Sequence, residues 1–234
     1  GLLGANVDDR PASVLGGLSG QARPQGEPVA DGEALYQEHC STCHGANGKG
    51  GIGLPLHLED FLRIADRDYL VRTMKHGRPG RVMPSFQHIL TDEERQRIAA
   101  FIESWQQGPE VELPGVGEGD PQRGAKLFQE RCASCHGFKG QGGTQPQEAP
   151  GHLAGDRKVV PPALNNSGFL ASASDAFIKA TLMHGRTGTP MDPYGNGAKL
   201  SDRQLDDLVA YIRSWEKGVD PLAKPVIEVR SELP

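Results

Sequence analysis

The chain has 234 residues, of which 36% are hydrophobic and 31 are glycine, a composition that is ordinary for a globular protein and excludes global disorder. Its mean hydropathy is −0.49, and no apolar run approaches the roughly 18 residues of a transmembrane helix, so no membrane span is predicted. With 25 basic and 30 acidic residues, the chain has no excess positive charge for nucleic acid or an anionic membrane. Its first residue is Gly1 rather than Met, so the lack of a signal peptide says little about the compartment.

The first half of the chain predicts three helices between irregular segments. Residues 1–30 carry no helical period and are predicted to form an irregular arm, after which a first helix begins near Asp31. A middle helix is predicted over Asp66–His76, and the glycine directly after it is suited to end it. A last helix begins at a capping box, Thr91 with Glu94, and then places apolar residues at helical spacing.

The second half repeats this order after a segment rich in Gly, Pro and Glu. That segment, residues 108–119, is predicted to be a linker. The next helix begins at Asp120 and has a proline at its first position, where proline is pre-organised for a helix. A middle helix over Asp175–His184 and a last helix that begins at Ser201 follow, and residues 218–234 are predicted to form another irregular arm.

The two halves are copies of one domain. Three pairs of segments align between them: 32–40 with 124–132, 69–78 with 177–186, and 90–105 with 200–215. The distance between the first two segments is greater in the second copy, and residues 138–161 hold the insertion. The sequence therefore predicts two tandem domains, over residues 31–107 and 120–217.

A glycine lies inside the first predicted helix of each copy, at Gly32 and Gly124. A glycine in a helix costs about 1 kcal/mol relative to alanine. We interpret it as the sign of a close crossing between the first and last helices, with an incidental surface glycine as the alternative. Aromatic side chains are then expected to stack at the crossing: Tyr36 near Phe101, and Phe128 near Tyr211.

All four cysteines fall into two copies of a Cys-x-x-Cys-His motif. This is the attachment motif of c-type haem: on one helical turn, two sulfurs three residues apart face the same side, within reach of both haem vinyl groups. The adjacent histidine is carried beneath the iron as the proximal ligand. The candidate attachment residues are Cys40, Cys43, Cys132 and Cys135, and the candidate iron ligands are His44 and His136.

Three other kinds of site contain Cys-x-x-Cys pairs, namely zinc sites, redox dithiols and disulfides. Zinc sites space their two pairs by about 15 to 20 residues, whereas a stretch as long as a whole domain separates Cys43 from Cys132. A single redox dithiol explains neither the duplication nor the histidine that follows each pair. The sequence therefore predicts two covalently bound haem c groups.

The motif-bearing segments resemble the class I, mitochondrial-type cytochrome c domain in a tandem dihaem arrangement. The resemblance covers residues 31–107 and 120–217. It implies an all-α fold of about three helices around each covalent haem, irregular loops and arms, and one His and one Met as axial ligands. The run Cys40–Gly50 and the Met-Pro before the last helix look like soluble bacterial electron carriers and cytochrome subunits of oxidases and dehydrogenases. Pro55 and Pro162 stand where the family uses a proline carbonyl to orient the proximal histidine, with Pro161 competing for the second position.

Methionine and histidine compete as the distal iron ligand. Met83 and Met191 occupy matching loops rich in Gly and Pro, where an apolar side chain has no helical face to bury, so a thioether aimed at iron is the preferred interpretation. The histidines before the glycines that end the middle helices, His76 and His184, also match, but capping the helix explains them. Two further methionines, Met74 and Met183, do not align with each other and are expected to pack on the middle helices. In the second copy, Asp192 replaces the proline that follows Met83, and the insertion brings His152 as a rival ligand to Met191.

Two six-coordinate haems leave no iron position for a substrate, so the sequence favours outer-sphere electron transfer between redox proteins over catalysis. A haem enzyme or enzyme subunit is the alternative, for example a dihaem peroxidase or a thiosulfate-oxidising dehydrogenase. Peroxidases of that kind are longer, and no spare cysteine exists to act as an axial thiolate. A gas sensor would need a labile distal ligand, which nothing in the sequence favours.

The expected partners are other redox proteins that dock transiently, and no nucleic acid. Haem attachment by this motif occurs outside the cytoplasm in bacteria, so the resemblance implies a periplasmic or otherwise extracytoplasmic location. Lys75, Arg78 and Arg81 predict a basic edge around the first methionine loop that could steer an acidic partner. Pairing of one arginine with a haem propionate is the alternative.

Overall fold

Helices dominate the computed structural model, which describes residues 27–143, 147–148, 158–195 and 199–217. The helices of the first half are α1 (Glu27–His39), α2 (Ser41–His44), α3 (Glu59–Leu62), α4 (Arg67–His76) and α5 (Asp92–Glu103). Those of the second half are α6 (Pro121–Arg131), α7 (Ala133–His136), α8 (Ser167–Ser172), α9 (Asp175–His184) and α10 (Asp202–Ser214), followed by a 3-10 turn at Trp215–Lys217. The predicted all-α fold is confirmed.

Within the described ranges, strands are limited to one two-residue ladder. β1 (Gln147–Glu148) pairs antiparallel with β2 (Lys158–Val159), with Gln147 opposite Val159. The ladder lies inside the insertion of the second copy, residues 138–161. It closes a loop and adds no layer to the helical core.

The three helices predicted for each half are present, and two short helices accompany them. The end of the predicted arm 1–30 is helical, because α1 begins at Glu27 rather than near Asp31. Residues 1–26 and 218–234, the remainder of the two predicted arms, lie outside the described residues. The short helices are the Cys-x-x-Cys-His turns, α2 and α7, and the helices that precede the middle ones, α3 and α8.

Side-chain caps determine where the last helices begin. Thr91 and Glu94 form a reciprocal capping box at the start of α5, and Ser201 and Gln204 form the equivalent box at α10. The carboxylate of Asp120 accepts hydrogen bonds from the first backbone N–H groups of α6. Each cap satisfies donors that a helix cannot satisfy by itself, so these residues fix the predicted helix starts.

In each half, the first helix crosses the last at the predicted glycine. A side chain at Gly32 would clash with the carbonyl oxygen of Arg97, and one at Gly124 would clash with that of Asp207. Aromatic rings fill the space beside each crossing: Tyr36 lies 5.5 Å from Phe101 and 5.2 Å from Trp105, and Phe128 lies 5.3 Å from Tyr211 and 5.4 Å from Trp215. The close-crossing interpretation of the two glycines is therefore confirmed.

An ion pair lies beside each crossing, with opposite polarity in the two copies. In the first copy, Asp31 on α1 faces Arg97 on α5 at 3.5 Å. In the second copy, the aligned positions are reversed, and Arg123 on α6 bonds the buried Asp207 on α10 at 2.8 Å. The duplicated domain thus keeps a salt bridge at this position and inverts its direction.

The predicted linker, residues 108–119, contains no helix and is bonded at both ends. Near its start, Val111 N donates to Arg63 O at 3.0 Å, and Arg63 Nε donates to Pro109 O at 2.9 Å. Further on, the buried Lys179 donates to Gly115 O at 2.8 Å. Each end of the segment is therefore fastened to the domain that it adjoins.

The two domains meet through their middle helices and the short helices before them. Tyr69 on α4 stacks on Phe177 on α9, with ring centroids 4.0 Å apart and planes inclined by 19°. These two residues are aligned in the repeat, so equivalent elements contact each other as they do about a two-fold axis. Within the described part of the chain, no helix is both long enough and apolar enough to cross a membrane.

Candidate haem sites

Each Cys-x-x-Cys-His motif forms one helical turn, as the attachment chemistry requires. His44 N donates to Cys40 O at 2.9 Å, and His136 N donates to Cys132 O at the same distance. The motif's two cysteines therefore lie on one turn, which the backbone N–H of the histidine closes. All four cysteines lie within the described residues, and none of them forms a disulfide.

The acidity of the first cysteine in each motif argues against a redox dithiol. Burial, with the neighbouring cysteine as a second cause, raises the pKa of Cys40 to about 12 and that of Cys132 to about 11. Reactive redox cysteines have lowered thiol pKa values, since the thiolate is the nucleophile. The environment of these thiols is thus unlike that of a disulfide oxidoreductase.

The two proximal histidines are held by backbone carbonyls. His44 Nδ1 lies 2.8 Å from Leu54 O, and His136 Nδ1 lies 3.0 Å from Pro162 O. A carbonyl can only accept, so Nδ1 carries the proton and Nε2 is the nitrogen available to a metal. Burial lowers the pKa of both imidazoles, which the carbonyl bonds only partly oppose, so both rings are neutral at pH 7. A neutral imidazole with a free Nε2 is what an iron ligand must be.

The hydrogen bond predicted at Pro162 is present, whereas the one predicted at Pro55 is not. In the first domain the acceptor is the carbonyl of Leu54, one residue earlier. The loop reaches His44 through glycines: Gly53 packs on the imidazole so closely that a Cβ there would lie 2.7 Å from Cε1. This tight approach sets which carbonyl faces Nδ1, and sequence spacing alone does not show it.

Met83 and Met191 lie in loops of the same geometry. Arg78 N donates to Met83 O at 2.9 Å, and Arg186 N donates to Met191 O at 2.8 Å. Each methionine is half-buried and follows the end of a middle helix. The positions proposed for the distal ligands are thus equivalent in the two domains, and both loops are closed by the same backbone bond.

The rival distal ligands have other surroundings. Met74 is buried in the hydrophobic core on α4, whereas Met183 is partly buried against the same core, as Met191 also is, so position in the loop rather than burial distinguishes Met191 from Met183. His76 and His184 are the last residues of their helices, directly before glycines with φ of 61° and 64°. His152 lies outside the described residues.

Two residues of the predicted basic edge at the first methionine loop contact the second domain. The guanidinium of Arg78 lies over the ring of Phe169 in the second domain, and Arg81 donates to Gln141 O, also in the second domain. Apolar side chains are exposed near the haem motifs instead, with Ile52, Val82 and Phe138 each at least 70% exposed. The sequence could not show this, because it depends on how the two domains face each other.

A zinc site of the kind considered for the cysteines is not formed in the described part of the chain. No group of three or more His, Cys, Asp or Glu side chains comes together there in a way that could hold a metal ion. Each motif instead presents two thiols and one imidazole nitrogen on a turn, and two thiols plus one ligand suit attachment of a metal-bearing group.

Two family models match the chain. The model described as cytochrome C oxidase, cbb3-type, subunit III matches residues 27–102, and the model described as cytochrome c matches residues 121–216. The chain therefore contains two tandem cytochrome c domains, and their Cys-x-x-Cys-His motifs imply two covalently bound haem c groups. The family predicted from the repeated motif is confirmed.

Curated proteins similar to this chain include subunits of cbb3-type cytochrome c oxidases. The cbb3-type cytochrome c oxidase subunit CcoP of Azospirillum sp. (strain B510) is 26% identical over 206 residues, which cover 82% of this chain and 64% of that protein. The subunit FixP of Sinorhizobium medicae (strain WSM419) is 32% identical over 123 residues, covering 49% and 40%. The chain thus spans less than two thirds of the length of these relatives.

A solved structure shares the fold. The reducing HAO-like protein complex of Kuenenia stuttgartiensis matches with a TM-score of 0.53 at 23% identity, over 79% of this chain and 95% of that one. At this level of identity the likeness concerns the fold alone. The match covers enough of this chain to include parts of both domains, and it agrees with the tandem helical architecture.

Proposed function

We propose that the chain is an extracytoplasmic dihaem module that passes single electrons between redox proteins, as an electron-transfer subunit of a cbb3-type oxidase or a closely similar complex. One observation carries the proposal: each domain presents a Cys-x-x-Cys-His turn with an oriented, neutral histidine and, in an equivalent loop, a methionine. Similarity to CcoP and FixP supports the choice of complex.

In this proposal, His44 and Met83 ligate the first iron, and His136 and Met191 ligate the second. Bound haem supplies a one-electron iron couple, with methionine ligation raising its potential relative to two histidines. The chain's own residues keep each imidazole in the Nδ1–H tautomer and place a thioether in the matching loop. Because one histidine and one methionine of the chain would hold each iron, the proposal leaves no iron position for a substrate and makes the chain a carrier.

The proposed attachment of two haems is tested first. The mass of the denatured holoprotein is expected to exceed that of the polypeptide by two haems. The variant Cys132→Ala/Cys135→Ala should retain one haem, in the first domain. A wild-type mass with one added haem or none would contradict the proposal.

The carrier role is tested by kinetics of the holoprotein. We expect second-order reduction by a small redox protein followed by reoxidation by another, and no turnover of hydrogen peroxide or thiosulfate above that of free haem. Enzyme-like turnover of either compound by the isolated chain would favour the haem-enzyme alternative instead.

A further inference from the structure

The two methionine loops each contact the other domain, beside the contact between the middle helices. In the first domain the loop begins at Arg78, whose backbone closes it on Met83 and whose guanidinium lies 5.8 Å from the ring centroid of Phe169. In the second domain the loop begins at Arg186, whose guanidinium lies 5.7 Å from the ring centroid of Phe61. These arginines align in the repeat, and so do the two phenylalanines. The contact is therefore made twice, once in each direction.

Each arginine is also fixed by its own middle helix. Arg78 Nη2 donates to Thr73 Oγ1 at 3.2 Å, and Arg186 Nη2 donates to the aligned Thr181 Oγ1 at 2.8 Å. Burial lowers the pKa of Arg186 to about 10, which leaves it charged at neutral pH. A desolvated cation over an aromatic ring interacts more strongly than an exposed one.

The next residue of each loop is also held by the opposite domain. Asn166 Nδ2 donates to Pro79 O at 2.9 Å, and Thr187 N donates to Asp60 Oδ2 at 2.8 Å. Pro79 and Thr187 are aligned positions, and the bond uses the carbonyl where proline has no N–H to donate. A third contact, from Arg81 to Gln141 O, holds the first loop further along.

We propose that each domain braces the methionine loop of the other, so that the axial methionine of one haem is held in place by residues of the opposite domain. The inference rests on the proposed function, in which Met83 and Met191 are ligands. Its consequence is that ligation at the two haems is coupled. A change in the first domain loosens Met191, and a change in the second domain loosens Met83.

The test uses variants that remove one brace and keep the fold. Asn166→Asp retains the side-chain oxygen that caps α8 but replaces the donor to Pro79 O with an acceptor. Asn165→Asp is the matched control, because it adds the same charge one residue away and disturbs only a bond to Lys139 O in its own domain. In the other direction, Asp60→Ala removes the acceptor of Thr187 N, and Asp68→Ala, an exposed carboxylate with a 3.8 Å pair to Arg72, is its control.

The readout is competition of imidazole for the methionine position in the oxidised holoprotein. The two haems are resolved by the separate methionine methyl resonances of the same oxidised protein, which iron shifts far from the other methyl signals, and the resonances are assigned with Met83→Ala. Asn166→Asp should raise imidazole affinity at the first-domain haem by about threefold to tenfold, the range of one hydrogen bond, and leave the second haem unchanged. Asp60→Ala should do the reverse, and both controls should match wild type.

Two results would overturn the inference. If each variant weakens ligation in its own domain, or in neither, the contacts hold the domains together without bracing the loops. If wild-type protein shows no methionine resonance, the ligand assignment of the proposed function fails and this inference fails with it. The second result is visible before any variant is measured, so the two failures are distinguishable.

Discussion

At the residue scale, the histidines and methionines of the two sites differ in how strongly the rest of the domain constrains them. His44 and His136 are fixed by a hydrogen bond on one ring nitrogen and by burial. Met83 and Met191 are held by a backbone hydrogen bond that closes each loop, and Met191 also packs against the hydrophobic core. Substitution of a methionine should therefore remove the proposed distal ligand without disturbing the histidine proposed for the other side of the same haem.

Methionine ligation predicts a weak long-wavelength sulfur-to-iron band in the oxidised protein. Met83→Ala should remove about half of the band, and Met191→Ala in addition should remove the rest, because each domain is proposed to supply one methionine sulfur to its iron. The measurement is the visible spectrum of the holoprotein. Met74→Leu is the control, as that side chain is buried in the core and its replacement should leave the band intact. A band that survives both alanine substitutions would contradict the assignment.

The buried carboxylate of Asp207 predicts an acid-labile part of the stability of the second domain. Burial acts to raise the pKa of Asp207, but the hydrogen bonds from Arg123 and Asp120 outweigh it and hold the pKa below its ordinary value. A depressed folded pKa means that this stabilisation is complete above the unfolded pKa of about 3.9 and is lost as pH falls through the folded pKa.

We expect Asp207→Asn to flatten the acid limb of the unfolding free energy between about pH 5 and the folded pKa. Unfolding is followed in a Trp105→Phe background, where Trp215 in the second domain is the one remaining tryptophan. Asp192→Asn is the control, since that exposed carboxylate pairs with Lys199 at the surface. Equal pH dependence in the Asp207 variant and wild type would show that the carboxylate does not contribute.

At the element scale, the inverted ion pairs determine which helices may cross. Exchange of helices between the two copies would bring Asp31 against Asp207 and Arg97 against Arg123, and each contact would join like charges. Within a copy, both contacts join opposite charges. In a chain with two copies of one domain, this inversion favours the correct pairing of first and last helices over the exchanged one.

A charge exchange at the second crossing tests this reasoning. Asp207→Arg should destabilise the second domain by about 3 kcal/mol, because it breaks a partly buried pair and places two guanidinium groups together. The double variant Arg123→Asp/Asp207→Arg has the polarity of the first crossing and should recover part of that loss. Denaturant unfolding of the holoprotein measures both. A double variant no more stable than the single one would contradict the pairing.

Much at this scale was predictable from the sequence, because local chemistry decides it. The capping residues predict the starts of α5, α6 and α10, and Gly32 and Gly124 predict the helix crossings. α1 begins at Glu27, four residues before the predicted start at Asp31, and Pro28 lies in its first turn, where a helix tolerates proline. The acceptor of His44 was missed by one residue because it depends on the path of a loop rich in glycine.

At the scale of the whole molecule, the contact between the domains could not be predicted. Tyr69, Phe177 and the two arginines follow no periodic pattern that distinguishes them from core or surface residues, and they meet only because equivalent faces of the two copies pack together. This packing also brings Arg78 and Arg81 of the predicted basic edge into contact with the second domain, with Arg81 still exposed. The exposed apolar residues Ile52 and Val82 lie near the haem motif and methionine loop of the first domain.

The close packing of the two domains predicts that electrons equilibrate between the haems within one molecule. Such transfer within one molecule distinguishes a dihaem relay from two independent carriers on one chain. Docking of an outside partner is second order and depends on ionic strength where charges steer it, whereas transfer inside a fixed pair of domains does not.

Rapid reduction of the oxidised holoprotein by less than one electron equivalent tests the claim most directly. After the second-order reduction, we expect a first-order redistribution between the two haems whose rate is unchanged by protein concentration and by salt. Cys132→Ala/Cys135→Ala, with one haem, should lack this phase. A wild-type redistribution whose rate rises with protein concentration would show that electrons move between molecules, and would contradict the relay.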